Sequence, residues 1–282
     1  MMKQNKSQNS LNIKTDPFKK ALGETTKALS HNKDLEISFS SEESIFRDGN
    51  ARIPQISRKM TFEEILVTRG TADSHAIRNR YSNNTTFNKY SPVGEFATKI
   101  YESMENARCE AIGTEDMPGV ASNINALVHS KASKNGYDNN SSNFNDFLPE
   151  AVGLYIKEIL SGKPNPSATS KLLDYWRPTI EKETAASINL LRENFLDQKL
   201  YAKSIRQFLK DMGYGDQLGN DPDDKSNEKQ DEETSEIAED DNEEQLSDKS
   251  EEMESNPEQE ESDGEETEET ATSIEDMDPA NT

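Results

Sequence analysis

The sequence predicts a mainly α-helical, multi-helix domain with one small β-hairpin, followed by a disordered acidic tail. Three observations predict this class. Apolar residues recur at helical spacing from Phe18 to Met212, and Ser, Thr, Asp, Pro and Gly punctuate them where helices start and stop. Strand-like alternation is confined to one short region between Leu35 and Ile53. Charge divides along the chain: from Asp221 to Thr282 there are 28 acidic side chains against three lysines, leaving 27 acids and 29 bases in the first 220 residues.

The elements follow in order. Asp16 and Pro17 read as the N-cap and first residue of a helix with Phe18, Leu22, Thr25 and Leu29 on one face. Leu35, Ile37 and Phe39 alternate as a strand; Asp48-Gly49-Asn50 turns the chain, and Ala51 to Ile53 returns as a second strand that Pro54 should confine to an edge. Thr61 and Glu64 form a capping box opening a helix toward Arg80. An Asn-rich break from Asn79 to Asn88 precedes a helix begun by Ser91 and Pro92 and ended by Gly113. Pro118 starts a shorter helix carrying Ile124 and Leu127, and a Ser/Asn/Gly-rich loop over 130–145 is a candidate mobile excursion.

Val152, Tyr155, Ile156 and Ile159 mark a further helix stopped at Ser161 and Gly162. A longer stripe from Leu172 to Phe195 contains Pro178, where the helix either starts or kinks. Leu200, Ile205, Phe208 and Met212 make the last helix, ended by Gly213. This divides the chain into a polar, disordered N-terminus (1–15), a helical domain (16–215) and an acidic segment (216–282). That segment has no Phe, Tyr or Trp, so burial cannot offset an ordering cost of roughly 1–2 kcal/mol per residue. The first fifteen residues lack an apolar core, which excludes a secretory signal, and no apolar run is long enough for a bilayer. One cysteine, Cys109, excludes an internal disulfide framework and fits a cytoplasmic location.

The usual chemical sites are absent from the sequence. Gly162-Lys163 runs into Pro164 and ends a helix, so it cannot cradle phosphates as a P-loop does. His31, His75 and His129 are scattered without zinc spacing and read as solvated or capping residues. What stands out is charge at helical spacing: Arg69 and Asp73 four apart, Arg78 beyond them, then Glu102, Glu105, Arg108 and Glu110. Such stripes are either surface ion pairs worth less than about 1 kcal/mol each or a docking face for another protein.

Those charged stretches lie in blocks that resemble the CobT-type subunit of aerobic cobaltochelatase. Leu66 to Ser74, followed by Ala76-Ile77-Arg78, resembles the TRG-ADS-ALR block; Leu35 to Ser41 resembles LEVTFSS, and Ala51 to Pro54 resembles ARLP. Glu105 to Gly113 is similar to EQARVEAIG, Met117 to Ala121 to MAGVA, and Gly153 to Pro164 and Leu173 to Pro178 match later blocks in order. The resemblance covers roughly Pro17 to Gly213.

The resemblance implies an ATP-dependent complex that inserts Co2+ into hydrogenobyrinic acid a,c-diamide on the aerobic route to cobalamin. It implies partners too: an AAA+ ATPase subunit and a large corrin-binding subunit, with ATP, Mg2+ and Co2+ used by the complex and no cofactor, nucleic acid or membrane bound by this chain. Arg69, Asp73, Arg78, Arg108 and Glu110 are the candidate subunit interface. Family members continue past the acidic segment into a von Willebrand factor A domain; this sequence contains no Asp-x-Ser-x-Ser metal motif and reads as the N-terminal half with its linker, without an active site of its own. The alternatives are a truncated, inactive remnant and an acidic, chaperone-like protein binding basic partners through its tail.

Overall fold

A computed structural model describes residues 4–224 apart from 43, 48, 58 and 138–142. The expected disordered tail lies, from residue 225 on, outside the described residues, as does the middle of the 130–145 loop.

Among the described residues there are eight α-helices and a three-stranded sheet, which bears out the mainly helical class. Helix α1 (Gln4–Ser30) runs through Pro17 instead of starting there, and residues 4–15, expected to lack structure, continue its backbone. Leu22, Thr26 and Leu29 form its buried side. The Thr26 hydroxyl is satisfied within the helix by the Leu22 carbonyl at 2.8 Å.

Strands β1 (Glu36–Ser40), β2 (Ile45–Arg47) and β3 (Asn50–Pro54) follow. Both expected strands exist, but they do not pair with each other as a hairpin. The hairpin is β2–β3, turned at Gly49 with φ 78°, and β1 lies parallel to β3 with Ile37 opposite Ala51 and Phe39 opposite Ile53. Strand β3 is therefore central. Pro54 is tolerated there because β2 pairs only as far as Arg52, so a missing N–H at position 54 breaks no bond on that side. The sheet presses Ile53, Ile37 and Phe39 onto Leu22 and Phe18 of α1 and Ala72 of the next helix.

That helix, α2 (Phe62–Tyr81), opens with the expected capping box: Glu64 N–H donates to Thr61 Oγ1 at 3.2 Å, and Thr61 N–H donates to the Glu64 carboxylate at 2.9 Å. The Asn-rich break is itself a short helix, α3 (Asn84–Tyr90), because the Asn83 side chain accepts from Thr86 N–H and caps it. Helix α4 (Glu95–Gly113) starts three residues after Pro92, while Ser91 closes α3. Helix α5 (Pro118–Lys134) begins at its proline and takes in Ser130–Lys134, which the sequence assigned to a loop.

Helix α6 (Leu148–Ser161) stops where Gly162 adopts φ 65°, as its sequence foretells. Helix α7 (Ser170–Asn194) passes Pro178 and departs from helical geometry at Thr184 (φ −122°, ψ 18°). There the Thr184 hydroxyl donates back to the Ile180 carbonyl at 2.6 Å, and Ser187 donates to the Thr184 carbonyl, a pattern that bends helices. Helix α8 (Gln198–Asp211) is capped by Asp197, which accepts from Leu200 N–H.

The main core gathers α3, α4, α6, α7 and α8 around Ile100, Met104, Val152, Ile156, Tyr201 and Phe208. A second cluster joins α1, α2, α4 and α5 through Leu29, Ala76, Ile77, Cys109 and Ile124. Helix α4 contributes to both, so its side chains are enclosed on most sides. Residues 216–224, placed in the tail by sequence, instead pack on the helices: Tyr90 hydrogen-bonds Asp223, and Leu218 is buried in the main core.

Candidate functional site

The candidate residues sit on α2 and α4, which cross each other, and the crossing sorts them by depth. Arg108 is the deepest, with 2 % of its surface exposed. Its Nε and Nη2 donate to the two oxygens of Glu105 at 2.8 and 2.7 Å, one helical turn back. Nη2 also donates to the Tyr81 carbonyl at 2.6 Å, and Nη1 to the Phe195 carbonyl at 3.4 Å. One guanidinium thus ties the C-terminal ends of α2 and α7 to the middle of α4. Burial is the largest single influence and opposes its charge, but the hydrogen bonds to Glu105 and the charge interactions with Cys109, Glu105 and Tyr201 together outweigh it and raise its pKa. The expectation that Arg108 lies on a docking surface is corrected: its helix is packed on both sides, and the residue is a core tie.

Cys109 shares that interior. Burial first, then the neighbouring Glu105, pushes its thiol up to about 12, so it stays protonated and unreactive.

Asp73 is likewise buried. Its expected ion pair with Arg69 gives way to a hydrogen bond from Asn123 Nδ2 on α5 at 2.8 Å, and burial raises its pKa. Arg69 stays exposed, its guanidinium 5.6 Å from the Phe18 ring centroid. Together Phe18, Leu22, Arg69, Asp73 and Asn123 line a groove of about 270 Å3 between α1, α2 and α5. Gly70 lies where α2 comes against the backbone of α5 at Asn123, with Leu127 beside it.

Glu110 turns toward α6. Ser74 donates to its Oε1 at 2.8 Å, and the Lys157 ammonium pairs with Oε2 at 2.8 Å. Arg78 donates to Asn106 Oδ1 and lies 4.5 Å from the Phe87 ring, fastening α2 to α3 and α4. Beside them a cavity of about 200 Å3 opens between α4, α5 and α6, lined by Ser103, Asn106, Lys131, Tyr137 and Glu150. Of the five candidate residues, Arg69 alone is fully on the surface; Arg78 is half-buried, Glu110 is paired inward, and Asp73 and Arg108 belong to the interior. Sequence reasoning missed Lys157, which carries no motif, and gave Glu105 only the weight of a surface charge.

His75 departs from its expected solvated role. Its ring stacks on Phe46 at 5.0 Å and 3° between planes. Burial, then Lys131 and Arg78, lower its pKa from 6.5 to about 4 against a smaller opposing effect of Glu110. The unfolded chain therefore binds more protons than the folded chain between those values, so stability falls as pH drops from about 6.5 to about 4. The urea midpoint of the wild-type chain is expected to decline over that window more steeply than that of His75→Phe, which keeps the stack and cannot titrate. Equal slopes would show that His75 is solvated.

Among the described residues, no group of three or more His, Cys, Asp or Glu side chains is placed to hold a metal ion, and no helix is long and apolar enough to cross a membrane. A family model described as cobalamin biosynthesis protein CobT matches residues 12–282. No solved structure matches the chain.

Proposed function

The chain belongs to the CobT family of cobalamin biosynthesis proteins, and from that premise we propose that it is a non-catalytic subunit of the ATP-dependent cobaltochelatase that inserts Co2+ into hydrogenobyrinic acid a,c-diamide. In this reading it works in the cytoplasm beside an AAA+ ATPase subunit and a large corrin-binding subunit. ATP hydrolysis and metal insertion belong to those partners, and this chain docks to the ATPase. The observation that carries the reading is the family match across the whole helical body.

The geometry adds a division of labour within the matching blocks. Glu105, Arg108, Asp73 and Gly70 hold α2, α4, α5 and α7 together, so they build a frame. Arg69, on the outer rim of the groove between α1, α2 and α5, is the side chain of this set that a partner's carboxylate can reach. Arg108, ion-paired to Glu105 on its own helix and hydrogen-bonded to carbonyls at the ends of α2 and α7, stiffens that frame. Co-purification with the ATPase subunit tests the proposal: a stable association is expected, and its absence with and without nucleotide would overturn it.

A further inference from the structure

Residues 214–224 fold back as a strap over α3, the start of α4 and α8. The Gln217 carbonyl accepts from Val93 and Gly94 N–H at 3.1 and 3.0 Å, and its side-chain oxygen accepts from Ala97 N–H at 3.0 Å. The strap thus caps α4, whose own N-cap residue, Gly94, has no side chain to do so. Arg206 on α8 holds the strap's backbone, donating to the Leu218 and Asn220 carbonyls at 3.0 and 2.8 Å.

Beyond these bonds the Asp223 carboxylate enters a basic cradle. The Tyr90 hydroxyl donates to it at 2.9 Å, Lys203 of α8 pairs with it at 2.5 Å, and Lys89 of α3 at 3.1 Å. Lys203, Tyr90 and Lys89, in that order, lower the carboxyl's pKa. Burial, and then Asp223 itself, push the Tyr90 phenol up to about 12, so it remains a donor at neutral pH.

We propose that Tyr90, Lys89 and Lys203 form a carboxylate-binding site that Asp223 fills in cis, latching the strap and fixing the point from which the acidic run continues. This inference does not rest on the chelatase reading. Single exposed ion pairs contribute little, but here two cations from different helices and a buried phenol meet on one carboxylate. The short tether raises the effective concentration of Asp223 to the millimolar range or above, so it outcompetes carboxylates from other molecules.

Amide hydrogen exchange on the full chain tests the latch. Asp223→Asn is expected to speed exchange at Val93, Gly94, Ala97, Gln217 and Leu218 by roughly three- to tenfold. Lys203→Met should do the same, and the double variant should do no more than either alone. About 0.5 M NaCl should loosen the same amides in the wild-type chain and have little effect in Asp223→Asn. Wild-type exchange in both single variants, or additive effects in the double, would overturn the latch. So would acceleration spread equally over the core amides of α4 and α6, because that would report global destabilisation.

Discussion

Arg108→Met is expected to destabilise the helical body by about 3–5 kcal/mol, read as a fall in the urea midpoint with an unchanged slope. Methionine replaces the aliphatic stem of the arginine but none of its donors. The Glu105 carboxylate, itself 2 % exposed, would be left charged in the core without its cation. The Tyr81 carbonyl would lose a hydrogen bond at the C-terminus of α2, and the Phe195 carbonyl its weaker one just past α7. Removing both charges together, as Glu105→Leu with Arg108→Met, should recover most of the loss, since apolar substitutes for a whole buried pair are often neutral. A loss below about 1 kcal/mol for the single variant would match an exposed pair instead.

The second large effect is expected at Gly70. A Cβ at that position would overlap the Asn123 carbonyl oxygen and come within 2.8 Å of Leu127 Cβ on α5. The first obstacle is backbone, which no rotamer change can move aside, so α2 and α5 would have to separate. Overpacking of this kind costs about 1–3 kcal/mol, at the upper end where backbone resists, while alanine in a helix regains about 1 kcal/mol over glycine. Gly70→Ala should therefore lower stability by about 2 kcal/mol in thermal or urea unfolding. At Gly113 the nearest atoms an added Cβ would meet belong instead to the side chain of the buried, β-branched Ile77, at 2.7–2.9 Å. A neutral or stabilising Gly70→Ala would show that α2 and α5 do not touch there.

What the sequence revealed was local. Thr61 with Glu64, Pro118 and Gly162 each act within one helical turn, so their signals survive in sequence and the corresponding helix ends fall where expected. The β1–β3 pairing joins residues about fourteen positions apart, and hydrophobic alternation carries no information on strand direction; the parallel arrangement was illegible. Glu105 and Arg108 present the same difficulty in another form. Their i,i+3 spacing is the same on a surface as in a core, and only the enclosure of α4 between α2, α6 and α8 decides the matter. The small residues Ala107, Cys109 and Ala111 around Arg108 were the available sign that neighbours approach closely on several sides. Lys157 meets Glu110 across two helices, a contact no spacing rule predicts.

The proposal of an assembly subunit rests on the family and on an exposed Arg69 set in a rigid frame. The most direct measurement is sedimentation velocity of the full chain mixed with the ATPase subunit, with and without nucleotide, its folded state checked by circular dichroism. The account predicts that the chain moves into the faster-sedimenting ATPase boundary, and that Arg69→Glu, equally stable, weakens that shift. A folded wild-type chain that sediments alone under every nucleotide condition would contradict it.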